Sequence, residues 1–459
     1  MYSYQYRSLN AQAREIRLLQ VQKTSDESTS ITISLRHANL DDAPRFYALS
    51  YTWGDETPTT QITIQDDNGM GDVSVRRNLY EFLMEARQST KYWSSAWIWI
   101  DQICINQNDH NERCHQVGQM QRLYSTSQAT LVWPWSWSVD SLEVERIILK
   151  AHPIDTNQAI SDAPTHRAII EANCLNVALE NLLDLLTYSL YVKFLTSPYW
   201  TRQWIIQEIV LAREYFIVIS KELFRQDYIV AVTNFIRKKL HVSFMDFRGA
   251  YDCLERLETL NMYHFWKWAD RIGMNKRRER HWMSWDRALR LSEGAYCTVP
   301  LDKVYGVMGL LHEDFQILPD YNISEAELLR SMLQKQMSMT TTDNTDRWRN
   351  VYKVLQAWQC TGLQQSVGTR WDLDIAKYGL RRRRKTFKVV NLALKELELH
   401  EFQYTWEERR ADWRYYYRYM MPKAVRKLTY KGSGLSLEPL DDESETEQEL
   451  YERSVDPWK

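Results

Sequence analysis

The chain of 459 residues contains 58 lysines and arginines against 60 aspartates and glutamates, so its net charge is −2 at pH 7. This balance excludes a general nucleic-acid-binding protein, which typically shows a strong basic excess. The hydrophobic fraction of 44% and the aromatic fraction of 13% predict a large core, and the length predicts two to four units of ordinary domain size.

The cysteines and the N-terminus bear on the cellular compartment. The six cysteines form no CxxC pair, a spacing that predicts a reduced intracellular chain rather than a disulfide scaffold. The N-terminus lacks the apolar core of a signal peptide, and no apolar run approaches the roughly 18 residues of a membrane-spanning helix. We therefore expect a cytoplasmic location and no membrane partner.

Strands and helices alternate in the first part of the chain. Apolar patterns predict strands at 16–19, 31–35, 46–53, 62–64, 97–101 and 129–133. One amphipathic helix is predicted at 75–86, and a second runs from the capping pair 108–109 to 125. The predicted apolar stripe of the second helix consists of Cys114, Val117, Met120 and Leu123. The alternation predicts an α/β fold with a parallel sheet and flanking helices.

The pattern changes after the first six strands. Residues 137–196 are predicted to be a helical insertion, after which a helix at 199–213 and a strand at 215–220 resume the alternation. From residue 223 onward the patterns are helical, including a short helix that Asp302 is expected to cap. The basic run 381–385 is predicted to be a solvated face, with a nuclear signal or a nucleic-acid patch as alternatives. The acidic tail 441–449 has the composition of a disordered segment.

The strand at 97–101 ends on a carboxylate and is followed by polar side chains. Ligands of open α/β sheets bind beyond the carboxyl ends of the strands, so Asp101, Asn106 and Gln107 are candidate site residues. The alternative is that this polar loop only orders its own turn and caps the next helix, as Asn and Asp side chains readily do.

Other candidate chemistries find little support. His110 and Cys114 have a spacing that zinc could use, but no second ligand pair is evident, and a packed cysteine is the favoured interpretation. We therefore predict no metal site and no cofactor. The chain also contains no Walker-type phosphate loop and no GxSxG motif, so neither ATP hydrolysis nor serine hydrolase chemistry is indicated.

Four motifs resemble the fungal heterokaryon-incompatibility (HET) domain. They are YALSYTWGD at 47–55, WIDQICINQ at 99–107, ERCHQVGQM at 112–120 and LDKVYGVMGLL at 301–311. The resemblance implies an effector of fungal non-self recognition, or allorecognition, that triggers programmed cell death in a form of innate immunity. It also implies a partner incompatibility or receptor protein, and self-association.

A second resemblance lies within the first. The spacing of Tyr199, Trp204, Glu208 and Ile209 is similar to a helix of TIR domains, although Arg202 stands where TIR domains have serine and Ile205 where they have cysteine. This likeness implies a TIR-like, flavodoxin-like sheet. It also implies that Glu208 is the catalytic carboxylate of an NAD glycohydrolase, with NAD as the substrate.

The two resemblances together imply a set of residues that contact the substrate around Glu208. These residues are Trp53, Gly54, Asp55, Asp101, Asn106, Gln107, Arg113 and Trp204. The alternative for Glu208 is a surface helix residue paired with Arg202 or Arg213. The alternative for Arg113 is a salt bridge near a helix start whose carboxylate is Glu112.

These predictions divide the chain into a HET domain at 1–222, a helical extension at 223–345 and a C-terminal region at 346–459. Two functions remain open at this stage: an NAD-cleaving effector of cell death, and a non-enzymatic, self-associating signalling scaffold. An enzyme requires Glu208 to meet groups from the strand ends near 53–55 and 101–107. A scaffold predicts Glu208 on an open or oligomer-facing surface.

Overall fold

The fold is described by a computed structural model. It describes residues 3–23, 30–54, 57–89, 92–134, 197–219, 222–225, 259–260, 283–339, 351, 353–355, 357–358, 361, 363, 393–395 and 397–399. The predicted insertion at 137–196, Asp55, the basic run at 381–385 and the acidic tail at 441–449 lie outside the described residues.

A nine-stranded sheet forms the centre of the fold, in the order β5-β4-β2-β1-β6-β3-β7-β8-β9. The strands are β1 Glu15–Val21, β2 Thr32–Asn39, β3 Phe46–Tyr51, β4 Thr60–Asp66, β5 Gly69–Val75, β6 Trp97–Trp99, β7 Thr130–Trp133, β8 Tyr215–Ile219 and β9 Glu222–Arg225. The predicted strands at 46–53, 97–101, 129–133 and 215–220 therefore lie in one sheet, and the prediction that they do so is confirmed.

Four neighbouring strands, β6, β3, β7 and β8, run parallel to one another. Every residue of β3 and of β7 is buried, so both faces of these strands are covered. This burial explains their continuous apolar and aromatic sequences, because a strand covered on both faces does not alternate with polar residues.

The outer parts of the sheet are mixed rather than parallel, which differs from the predicted sheet. β1 pairs antiparallel with both β2 and β6, β4 pairs antiparallel with β5, and β8 with β9. Only β2 and β4 extend the parallel pairing on that side. The two-residue links within β4–β5 and β8–β9 explain these two pairings, since a tight turn can join antiparallel strands whereas parallel strands need a long crossover. The α/β class is confirmed, with a mixed sheet.

The helices are α1 Arg77–Gln88, α2 Asp101–Cys104, α3 His110–Thr126, α4 Ile205–Val210, α5 Trp285–Arg290, α6 Asp302–Met308 and α7 Glu325–Met339. Short 3₁₀ helices occupy Tyr92–Ser95, Pro198–Thr201 and Glu313–Phe315. None of the helices among the described residues is both long and apolar enough to cross a membrane.

Helix α1 follows the prediction, whereas α3 differs from it. The predicted apolar face of α1 is buried, including Leu79 and Phe82. In α3 half of the predicted apolar stripe is confirmed, because Met120 and Leu123 are buried, whereas Cys114 and Val117 are only partly buried. The buried face of α3 instead consists of Glu112, Gln116, Gln119, Met120, Leu123 and Tyr124. Polar side chains are tolerated there because they have partners, such as the backbone carbonyl of Glu15 that accepts from Gln116 at 3.0 Å.

The single helix predicted at 199–213 is replaced by two shorter elements. The chain forms a 3₁₀ helix at Pro198–Thr201 and then α4 from Ile205 to Val210. Ser197 caps the first of these, since its hydroxyl accepts the amide of Tyr199 at 3.2 Å. The break between the two elements brings Arg202 next to Glu208, which lies on α4.

The described residues divide into two compact units. One comprises 1–283, 294–312 and 318–321 and contains the whole sheet, and the other comprises 284–293, 313–317 and 322–459. Within the second unit, α7 buries Leu328, Leu329, Met332 and Leu333 on one face. This spacing of three and four residues is typical of an amphipathic helix.

Candidate functional site

Glu208 lies beneath the carboxyl end of β3, among groups from three different elements. Its side chain is 2% exposed. The carboxylate accepts a hydrogen bond from the hydroxyl of Ser50, near the end of β3, and its Oε2 lies 3.4 Å from Nη1 of Arg202. The backbone carbonyl of Glu208 accepts the hydroxyl of Thr130, on β7, at 3.1 Å. The interpretation of Glu208 as a surface residue is wrong, although its predicted pairing with Arg202 is confirmed.

Tyr199 extends this hydrogen-bonded group. Its hydroxyl lies 2.6 Å from the hydroxyl of Ser50, so Tyr199, Ser50 and Glu208 form a continuous chain of hydrogen bonds. Both Tyr199 and Ser50 are buried. Because a buried polar group is costly unless it is bonded, this chain fixes the carboxylate relative to the sheet.

Asp101 lies at the neighbouring strand end, directly after β6. One of its carboxylate oxygens accepts the indole N–H of Trp53 at 2.8 Å, and the other accepts the amide of Gln102 at 2.7 Å. Arg202 is close enough to interact electrostatically with Asp101 as well as with Glu208. One guanidinium therefore interacts with two carboxylates, and one negative charge is left uncompensated when all three groups are ionised.

Burial dominates the protonation of these groups. It raises the pKa of Glu208, and the opposing effects of Arg202 and Ser50 only partly offset this rise. Burial also raises the pKa of Asp101 against the opposing effects of Arg202 and Trp53. For Arg202, burial lowers the pKa, but the two carboxylates outweigh it and the net shift is upward. The arginine stays charged, while each carboxylate resists ionisation more than it would in water.

The loop after β3 forms the rim beside Asp101. Gly54 has a φ of +76°, a conformation that favours glycine. Its carbonyl accepts a hydrogen bond from the guanidinium of Arg76. The same guanidinium lies over the Trp53 ring, 5.0 Å from its centroid. Trp53 is half-buried, so the ring contributes both to the Asp101 contact and to the surface.

The residues that form this group match a known family. Residues 46–208 match the model of the family described as heterokaryon incompatibility protein (HET), a stretch that starts at the first residue of β3 and ends at Glu208. By this match, residues 46–208 are similar to a HET domain. A curated relative is heterokaryon incompatibility protein 6, OR allele, of Neurospora crassa, which is 24% identical over 256 residues.

That alignment covers 52% of this chain and 38% of the relative, so the chain spans well under half the length of the relative it matches. No solved structure matches the chain significantly.

The turn that follows Asp101 is ordered by its own polar side chains. The carboxylate of Asp101 accepts the amide of Gln102 at 2.7 Å, and the side chain of Asn106 accepts the amide of Asn108 at 3.2 Å. The prediction that these side chains organise the turn through backbone amides is thus confirmed for Asp101 and Asn106. Gln107 instead donates to the backbone carbonyl of Asp101 at 2.8 Å.

The glutamate of the ERCHQV motif has a structural partner. The carboxylate of Glu112 accepts hydrogen bonds from both terminal nitrogens of the Arg17 guanidinium, at 2.6 and 3.0 Å. It also accepts the backbone amide of Asn106 at 2.6 Å. Arg17 further donates to the carbonyl of Cys104 at 2.9 Å. The salt bridge proposed for this helix start is present, but its arginine is Arg17 on β1.

Arg113 and Trp204 belong to a separate cluster in the same unit, around Asp302. The carboxylate of Asp302 accepts the hydroxyl of Tyr321 at 2.8 Å and the indole N–H of Trp204 at 3.1 Å. The guanidinium of Arg113 lies over the Tyr321 ring, 4.9 Å from its centroid. Burial raises the pKa of Asp302 to about 6. Asp302 therefore does not cap α6 as expected but holds Trp204.

Sequence reasoning missed several residues of the Glu208 group. Ser50 lies inside the YALSYTWGD motif but is not among the predicted site residues, and Arg202 was predicted only as a partner of a surface Glu208. A serine near the end of a buried strand gives no local pattern that would link it to a glutamate on a distant helix. Within the described residues, no three His, Cys, Asp or Glu side chains are grouped as metal ligands.

Proposed function

We propose that this chain is an effector of fungal heterokaryon incompatibility that triggers programmed cell death, and that it acts by cleaving NAD. The HET domain match and the name of the Neurospora relative support the incompatibility role. Participation of a receptor or incompatibility partner is part of the same proposal.

One observation supports the enzymatic part most strongly. Glu208, Ser50, Arg202 and Asp101 come together from separated parts of the chain at the carboxyl ends of parallel strands. Across the sheet, the four parallel strands lie in the order β6-β3-β7-β8. If they are numbered 1 to 4 along the chain, this order is 2-1-3-4. This order is that of flavodoxin-like sheets, whose ligands bind at the strand ends beside the first strand, and it supports the TIR-like relationship.

The charge of the group suits the proposed reaction. The bond between the nicotinamide nitrogen and the ribose carbon breaks, and its electron pair leaves with nicotinamide, which becomes neutral. The ribose then carries positive charge in an oxocarbenium-like state, water adds to it, and one proton is released. With both carboxylates ionised, the group of Glu208, Asp101 and Arg202 carries a net charge of about −1. This charge would stabilise both the cationic nicotinamide ring of the substrate and the ribosyl cation.

The non-enzymatic scaffold is the second candidate, and one observation favours it. Glu208 does not lie on the open surface first expected of a scaffold. It is buried and already bonded to Ser50 and Arg202, as a purely structural carboxylate would be, and a structural Glu208 would leave a scaffold to act through other surfaces. Under the enzymatic proposal, Arg202 has to move away from Glu208 before a ribose can reach it. Arg202 contacts Glu208 at a single distance of 3.4 Å and also interacts with Asp101, so this movement would carry the guanidinium from one carboxylate toward the other.

The test is incubation of the purified full-length protein with NAD, with nicotinamide followed by chromatography. Wild-type protein should release nicotinamide, and Glu208→Gln should not. The matched control is Glu81→Gln, which removes a carboxylate of α1 that pairs with the exposed Arg77. Absence of release by the wild-type protein, together with concentration-dependent self-association, would establish the scaffold instead.

A further inference from the structure

The segment 295–309, here called the strap, lies beyond the end of the family match and runs alongside the chain that leads to Glu208. The amide of Gln203 donates to the carbonyl of Tyr296 at 2.8 Å, and the amide of Tyr296 donates to the carbonyl of Thr201 at 2.5 Å. Arg202 and Tyr296 form a parallel β-bridge. The backbone that carries Arg202 is therefore bonded to the strap on both sides of Arg202.

Two glutamines on either side of Trp204 make the remaining contacts. The side-chain amide of Gln203 donates to the carbonyl of Lys303 at 3.2 Å, and that of Gln207 donates to the carbonyl of Tyr305 at 2.7 Å. The side-chain oxygen of Gln207 also accepts the amide of Gly309 at 3.0 Å. Gln207 is buried and has no access to water, so these hydrogen bonds satisfy its polar side chain.

Two glycines of the strap have no side chain where the two glutamine side chains pack. A Cβ atom added to Gly306 would lie 2.8 Å from Cγ of Gln203, and its three nearest atoms all belong to that side chain. A Cβ atom added to Gly309 would lie 2.1 Å from the side-chain oxygen of Gln207. Both distances are too short for unbonded atoms. Each glutamine side chain therefore packs where it does because the residue facing it is glycine.

From this geometry we infer that Gln203 and Gln207 are positioning residues for Arg202 and Glu208, and that the site-bearing domain extends through residue 309. Glu208 is held by the sheet through Ser50 and Thr130 on one side. The strap holds α4 and the residues before it on the other side, through the two glutamines. This inference deepens the proposed function. Its catalytic test rests on the proposed function, whereas its stability test does not.

The first test is a double-mutant cycle of Gln203→Ala and Gly306→Ala, in which the melting temperature of each variant is measured. Gly306→Ala should lower the melting temperature by about 2–4 °C or more, because the new methyl group collides with Gln203. Adding Gln203→Ala should recover part of that loss, because the space vacated by the glutamine accepts the methyl group. The control is Gly118→Ala, whose added Cβ would meet its nearest atom, on Pro319, at 3.4 Å, and which should not lower the melting temperature. Strictly additive losses in the cycle would overturn the inference.

The second test separates positioning from folding. Gln207→Ala is assayed for nicotinamide release at a temperature where it is fully folded. The inference predicts that kcat falls by about 10- to 100-fold while KM changes by less than about twofold, since a misplaced carboxylate weakens the transition state more than substrate binding. An unchanged kcat in folded Gln207→Ala would contradict the positioning role. If wild-type protein releases no nicotinamide, the proposed function fails, and the melting cycle by itself decides whether the strap is matched to the glutamines.

Discussion

Two buried arginine–glutamate pairs in this molecule have different geometries. Arg17 and Glu112 are joined by two contacts of 2.6 and 3.0 Å, and their side chains are 0% and 5% exposed. Arg202 and Glu208 share one contact of 3.4 Å, and their side chains are 15% and 2% exposed. The first pair links β1 to α3, whereas the second lies at the carboxyl end of β3.

Under the proposed function, the difference distinguishes a structural pair from a pair that takes part in chemistry. Arg17 also donates to the backbone carbonyls of Arg7 and Cys104, and Glu112 also accepts the amide of Asn106, so the hydrogen-bonding capacity of both is largely used. Arg202 is instead shared between Glu208 and Asp101, and burial raises the pKa of both carboxylates. A buried carboxylate with a raised pKa and an arginine beside it is the kind of group that functional sites often contain.

The largest effect should come from breaking the structural pair. Glu112→Gln leaves the buried Arg17 guanidinium without its counter-charge, and removing one partner of a buried pair costs about 3–5 kcal/mol. Urea unfolding at pH 7 should show this loss in the free energy of unfolding. A loss below about 1 kcal/mol would mean that Arg17 finds another partner, and the contrast between the two pairs would disappear.

The pH dependence of stability should reveal Asp302 as the next largest effect. Its pKa is about 6 in the folded state against the ordinary 3.8, so the protonated form is favoured by folding. The resulting stability is fully present below about pH 4 and is lost as the pH rises through 6, a change of about 3 kcal/mol. Other carboxyl groups titrate in the same range, so the difference between wild type and Asp302→Asn isolates Asp302.

That difference should be measured by urea unfolding at several pH values between 4 and 8. Wild type should lose stability relative to Asp302→Asn as the pH rises. A difference that stays constant across this range would show that Asp302 does not titrate there.

A smaller effect is expected at the cap of α3. The side chain of Asp109 accepts the amide of Glu112 at 3.0 Å, so Asp109→Ala should cost about 1 kcal/mol in the free energy of unfolding. Nicotinamide release by the folded variant should be unchanged, because the cap supports the structural pair only. Reduced release without reduced stability would place α3 in the site and blur the comparison.

Much of the fold was predictable because its strongest patterns are local. The strands β3, β6, β7 and β8 have continuous apolar sequences, and α1 has a clear amphipathic spacing, so their existence and type follow from the sequence. The mixed outer sheet was not predicted, because pairing partners are set by tertiary contacts rather than by the strands themselves. The polar buried face of α3 was also missed, since Glu112 and Gln116 are stabilised by residues of β1 about a hundred positions away.

The site was predictable only where a motif happened to include its residues. Glu208 and Asp101 were found through family motifs and strand-end position, and the structure brings both close to Arg202. Ser50 was missed because its partner is 158 residues distant in the chain. The spacing argument for Trp204 assumed an unbroken helix, whereas the break at 202–204 directs its indole to Asp302.

The most direct test compares Glu208→Gln with Glu112→Gln in the same two assays, urea unfolding and nicotinamide release. Glu208→Gln should keep the free energy of unfolding within about 1 kcal/mol of wild type, because burial already disfavours its charge. It should reduce nicotinamide release by about 10²- to 10³-fold, the effect of removing one electrostatic stabiliser. Glu112→Gln should show the reverse, a large loss of stability and normal release by the folded fraction. Wild-type rates of release from Glu208→Gln, or a loss of stability equal to that of Glu112→Gln, would contradict the assignment of Glu208 to chemistry.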